Sequence, residues 1–316
     1  MTRPPLAFLA SACLVVAGLV GGALFDPHPA RPPAHRAGLR VLEADLHAHT
    51  SASDGSLSPF ALVRQAERRG LDVLGVTEHN TVLPGLVARA FAEASGGPLV
   101  VPGEEVTTSR FHLVALGIER TVSPNQPARA VLDDVHAQGG VGVAAHPVRR
   151  FWGALSPVRD ALDATEVMHP IAFAGRGAWR WEDMLAFHAD GGGALAAIGS
   201  SDYHWGSVLG LCRTLVFVRE PVTPDSVRDA LREGRTVVLD PRGEPIGPPP
   251  LVEALRREPY EPRQSDYAYR GEGPGDRILR ALGWVGVLGV ALLRPRRRAR
   301  GSSPEHLRRE HEDQPE

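Results

Sequence analysis

The chain contains no lysine: all 35 basic residues among its 316 are arginine. That absence removes a Walker-type phosphate loop, Schiff-base chemistry and a carboxylated-lysine metal bridge. Cysteine is scarce as well. Cys13 and Cys212 cannot build a zinc ribbon, and Cys13 lies in an apolar run, so no structural disulfide between them is expected. A formal net charge of -2 gives no global attraction to polyanions. No basic surface interleaved with aromatics is visible, so specific nucleic-acid binding is not expected.

Apolar runs stand near both ends. "LAFLASACLVVAGLVGGALF" occupies 6–25 without a charge, after a short N-terminus, 1–5, that carries Arg3. That is about the 20 residues a bilayer-spanning helix needs, so it reads as a transmembrane anchor, with a signal peptide as the alternative. A shorter run, 278–293, spans only if Arg280 snorkels; "RPRRRAR" follows it and suits a cytoplasmic flank. Two crossings place the centre of the chain outside the cytoplasm, periplasmic or extracellular, at the cell membrane. Pro-rich stretches at 26–39 and 242–277 read as linkers around a domain at 40–241. The tail, 294–316, is basic, then polar, and reads as disordered.

The central domain alternates short apolar strands with amphipathic helices, from "LDVLGVTEHN" to "TVVLDP". Such alternation predicts an α/β fold, a parallel sheet or barrel with its chemistry at the strand C-termini. The polar residues fall there. "DLHAHTSASDG" follows an apolar run, and on a strand His47 and His49 face the same way, which suits a divalent metal. His79 ends a second strand, Glu104 and Glu105 lie within a third, and His112 begins a fourth. His146 ends "VGVAAHP", and Asp202 and His204 end "ALAAIGSSDYH". Each alone reads as a capping or hydrogen-bonded residue; together they predict a multinuclear metal site. His28, His35, His306 and His311 fall in linkers or tails and His136 and His188 in helices, all read as solvated.

The segments "DLHAHTSASDG", "VTEHN", "PGEEVTT" with the following His112, "AHP" and "SSDYH", in that order, resemble those of the PHP (polymerase and histidinol phosphatase) superfamily. With the late "GRTVVLD" the pattern is similar to its carbaryl-hydrolase branch. The resemblance implies a distorted (β/α)7 TIM-like barrel with two or three divalent ions: zinc, manganese or iron. It implies His47, His49 and Asp202 for a first ion, Glu105 rather than Glu104 as the bridge, His112 and His146 for a second, and Asp54, His79 and His204 for a third. Glu78 stands where the family usually has aspartate.

Such ions clamp a phosphate and bring a bridging water toward ionisation at neutral pH. The expected function is therefore a metal-dependent phosphoesterase using a metal-bridging hydroxide on a small-molecule substrate, anchored by its terminal apolar segments. A carboxyl- or carbamate-ester hydrolase is the first alternative and a non-catalytic metal-stabilised binding module the second. Arg149, just after "AHP", is a candidate phosphate clamp, with a solvated loop arginine as the plain alternative. His169 is a candidate pocket-lining residue or acid to the leaving group, and Trp205 a candidate wall of the site, with a packing role as the plain alternative.

Overall fold

A computed structural model describes residues 6–18, 32–174, 177–205, 207–260 and 274–293. They divide into two compact units, one of residues 23–274 and one formed by the two ends of the chain.

The larger unit is built on one sheet. Its strands are β1 Ala34–Arg36, β2 Leu39–Asp45, β3 Val73–His79, β4 Leu99–Thr107, β5 His112–Leu116, β6 Val141–Ala144, β7 Ala164–Met168, β8 Ala196–Gly199, β9 Thr214–Val218, β10 Thr236–Leu239 and β11 Pro245–Ile246. They run in the order β11-β10-β9-β2-β3-β4-β5-β6-β7-β8, with β1 paired to β2. At the far end β8 reaches β9 through Thr214, whose hydroxyl accepts the Gly199 N–H at 2.9 Å and donates to the Gly199 carbonyl at 2.8 Å. Just past the strands, Ala48 and Tyr203 form a parallel bridge. The result is a nearly closed α/β barrel. Alternate strand residues fill its interior, among them Leu42, Ala44, Leu46, Val114, Leu116, Val143 and Ile198. The helix Pro224–Arg232 adds Val227, Ala230 and Leu231 to that cluster.

The sheet is mixed rather than parallel. β2-β3, β3-β4, β6-β7 and β7-β8 pair in parallel, whereas β4-β5-β6 and β2-β9-β10-β11 are antiparallel. The reason is local. Only residues 108–111 join β4 to β5, a connection too short for a crossover helix, so the two strands fold back as a hairpin. Gly103 permits the pairing, because any side chain there would collide with the Ala115 carbonyl.

Two stretches expected as linkers carry structure. β1 lies within 26–39, and β11 and the helix Pro249–Arg257 within 242–277. That helix seats Leu251 and Leu255 on Val41, Leu215, Phe217 and Val237, an apolar stripe hidden among prolines.

The terminal unit pairs the helices Leu6–Val16 and Pro274–Leu293. Gly283 lies against Gly18, and Gly286 against Ser11 and Val15, so closely that any side chain would clash. Among the described residues no helix is long and apolar enough to cross a membrane, and the expected pair of spans is unsupported. The first described helix has 11 residues, the rest of the 6–25 run lying outside the described residues. The second takes Asp276, Arg277 and Arg280 into its 20 residues.

Candidate metal centre

Nine of the expected site residues converge at one mouth of the barrel. His47 and His49 lie just beyond β2, side by side with ring centroids 5.0 Å apart. The turn that follows packs against them, and Gly55 is required there because a side chain would strike the His49 carbonyl. His79 closes β3, level with Glu105 in β4. Strand alternation then turns Glu105 inward and Glu104 out, where its Oε1 accepts the Val122 N–H at 2.5 Å. His146 and Asp202 stand just after β6 and β8 at φ +29° and +43°, strained positions for residues with side chains.

Four donors define the deepest position. His47 Nε2 and His49 Nε2 are 3.0 Å apart, lie 3.2 and 3.1 Å from Asp202 Oδ1, and 3.7 and 3.6 Å from Glu105 Oε2. Those five distances are near the roughly 3.3 Å that separates nitrogen and oxygen ligands of an ion at about 2.0–2.1 Å. The other oxygen of Glu105 serves a second group, with His112 Nδ1 at 2.7 Å and His146 Nε2 at 3.1 Å. A third group gathers on Asp54, with His79 Nε2 at 3.2 Å and His204 Nε2 at 3.3 Å. Nδ1 of His49 and of His146 are buried without a hydrogen-bond partner. The donor set fits divalent cations better than it satisfies itself.

The electrostatics agree. Burial would raise the Glu105 and Asp202 carboxyls, yet histidine neighbours hold both well below the usual carboxylate range. Burial would lower His47, but Asp202 and Glu166 push it well above its ordinary value. His79 and His146 are raised too, against burial, chiefly by Glu105, whereas burial lowers His49. Protons here occupy positions that a metal ion would take, so metal uptake would release them.

The remaining candidates stand outside the nine donors. Arg149 stacks on Trp152 at 4.0 Å and faces Asp183 at 3.6 Å, not the nine donors. His169 is behind Asp202: Ile171 N–H donates to its Nδ1 at 3.1 Å, so its Nε2 carries the proton and donates to Asp202 Oδ2 at 3.1 Å. Trp205 is 79% exposed, beside His204. A groove of about 730 Å³ lined by Thr107, Arg110, Asn125 and Pro157 runs beside the cluster and includes none of the nine.

No family model matches the chain. In a crystal structure from Bacteroides vulgatus, a two-domain protein containing a predicted PHP-like metal-dependent phosphoesterase superposes with a TM-score of 0.59. The match covers 73% of this chain and 74% of that one at 21% identity. The chain shares the fold of that protein. In sequence it is 40% identical over 82 residues to the 5'-3' exoribonuclease Rnm of Escherichia coli, 24% of this chain and 28% of that one. It is 37% identical over 90 residues to the 3',5'-nucleoside bisphosphate phosphatase of Chromobacterium violaceum, 27% of this chain and 30% of that one. An uncharacterised Methanocaldococcus jannaschii protein is 26% identical over 141 residues, 40% of this chain and 82% of that protein. The chain thus spans under a third of the two named enzymes, both of which act on phosphoesters. None of these relatives points to the carbaryl-hydrolase branch.

Two supporting carboxylates, Glu166 and Asp45, have no role in the motif reading, and a third, Glu78, appears there only as a departure from the family pattern. Glu166, in β7, accepts from His47 Nδ1 at 2.9 Å, from the His146 N–H at 2.6 Å and from Ser200 Oγ. Burial would raise it, but the nearby His47 holds it at about 2. Asp45 accepts from Ser201 N–H at 3.0 Å and Gly210 N–H at 2.8 Å, fixing the loop that carries Asp202. Glu78 accepts from Thr50 N–H and Ser53 Oγ, fixing the turn that presents Asp54. The available signal is an acidic residue inside an otherwise apolar strand, which needs a partner when buried.

Proposed function

We propose that the chain is a metal-dependent phosphoesterase. In this reading His47, His49 and Asp202 hold one ion, His112 and His146 a second, and Asp54, His79 and His204 a third, with Glu105 shared. The single observation that supports it most is Glu105, one of whose oxygens faces His47 and His49 while the other faces His112 and His146. Zinc, manganese and iron all suit such a mixture of nitrogen and oxygen donors. When bound, the ions supply positive charge for phosphoryl oxygens and a nucleophile at neutral pH.

The chain's own residues do the orienting. Glu166 accepts a hydrogen bond from Nδ1–H of His47 and so directs Nε2 to the mouth. His169 fixes the carboxylate plane of Asp202 by donating to Oδ2, a positioning role in place of an acid role. Glu78 and Asp45 hold the two loops that carry Asp54 and Asp202.

Small phosphomonoesters and phosphodiesters are the proposed substrates, and the exoribonuclease relative brings RNA ends back among them. The test is turnover by the metal-loaded full chain against phosphomonoesters, phosphodiesters, 5'-phosphorylated oligoribonucleotides and carboxyl and carbamate esters. Phosphoester turnover lost on chelation supports the proposal; turnover confined to carboxyl or carbamate esters overturns it. Placement outside the cytoplasm is proposed on the apolar run at 6–25 alone. A reporter active only outside, fused after Pro241, should be active; silence there would reject it.

A further inference from the structure

Directly after "AHP" the chain carries two adjacent arginines with different surroundings. Arg149 is occupied by Trp152 and Asp183. Arg150 lies instead on two aromatic faces, its guanidinium carbon 4.4 Å from the Phe151 ring and 4.2 Å from the Trp179 ring. Those rings back the donor cluster. Phe151 stacks on His112 at 4.7 Å and 29°, and Trp179 meets the His146 ring at 5.4 Å. Arg150 is exposed, and among the described residues no carboxylate or carbonyl is found on its guanidinium.

A cation held this way has two properties. Its aromatic seat fixes a long side chain in advance, so less rotamer freedom is lost when a ligand arrives. Its N–H edge remains free for the bidentate pairing that guanidinium makes with phosphate or carboxylate. It is also two ring contacts away from the imidazole nitrogens that face Glu105. From there it addresses a group beside the phosphate taken at the centre rather than that phosphate itself.

We infer that Arg150 is a specificity-determining residue that binds a second anionic group of the substrate, a phosphate or carboxylate beyond the one at the metal centre. This rests on the phosphoesterase reading for its biological meaning, but its test does not require turnover. The probes are α,ω-alkylenediphosphonates of one to four carbons and the matching alkylphosphonates. Both series are inert to phosphoester hydrolysis, and calorimetry measures their binding to the metal-loaded full chain.

In the wild-type chain at least one diphosphonate should bind more tightly than its monophosphonate. Arg150→Met, which keeps an apolar stem on the two rings, should weaken that diphosphonate roughly tenfold to a hundredfold. The monophosphonate should change less than about twofold, and Arg150→Lys, charged without the fork, should fall between. A melting profile like that of the wild type shows that the variants are folded. No preference for any diphosphonate in the wild type, or equal losses for both series, overturns the inference. Failure of the chain to hydrolyse any phosphoester would instead count against the proposed function and leave these binding results interpretable.

Discussion

Two clusters of buried charge in this protein are balanced in different ways. Behind β2 and β9, Glu43 pairs with Arg213, accepts from the Tyr260 hydroxyl at 2.8 Å, and lies beside the Arg213 contacts to the carbonyls of Gly210 and Arg69. Its counter-charge is a guanidinium, permanently protonated and supplied by the chain. At the mouth, the counter-charges of Glu105, Asp202 and Glu166 among the described residues are imidazoles, whose charge is optional, and two buried imidazole nitrogens have no hydrogen-bond partner. A closed cluster is a structural joint. A cluster with titratable partners and orphaned donors is built to exchange protons for cations.

The largest effect that would sharpen this contrast is loss of the shared carboxylate. Glu105→Gln or Asp202→Asn should bring activity to background and lower metal content, measured by elemental analysis, while Glu104→Gln leaves both near normal. A Glu104 variant as damaged as the Glu105 variant would break the inward-outward assignment. Arg213→Met should do the opposite, leaving Glu43 buried and uncompensated at a cost of about 3–5 kcal/mol. Its melting temperature should fall steeply, while metal per folded chain stays at the wild-type value. Glu166→Gln should cost less, roughly 10–100-fold in metal affinity, because it releases the ring orientation of His47 without removing a donor.

The smallest predicted effect is a pH slope. Burial raises Glu104 from 4.5 to about 7. Its folded value lies above its unfolded value, so folding takes up a proton there. That contribution to stability is full below about pH 4.5 and is lost as the pH rises through about 7. Thermal melts of metal-free protein should show Glu104→Gln gaining on the wild type between about pH 5 and pH 8. A constant difference would contradict the assignment.

These contrasts also explain what could be read from the sequence. Strand and helix alternation is strong in this chain, and most of the nine donor residues sit in strands or just past their ends. Within a strand side-chain direction follows from period alone, as Glu105 against Glu104 illustrates, whereas Asp54 is presented by a turn. The antiparallel β5 is hidden because strand propensity carries no direction; the four-residue connection to β4 decides it. The helix Pro249–Arg257 is hidden among prolines, although a proline in the first helical turn is tolerated. Proximity to "AHP" favours Arg149 over Arg150, whereas their roles depend on which aromatic rings the fold brings near each one.

The most direct measurement concerns the mouth itself. Full-length chain stripped by chelator should be reconstituted with manganese or zinc, with bound metal per chain and phosphodiester turnover recorded along the same titration. The account predicts at least two ions per chain, turnover that rises with them, and neither in the Glu105→Gln variant. A stripped wild-type chain that binds no ion and has the same turnover with and without metal would contradict it.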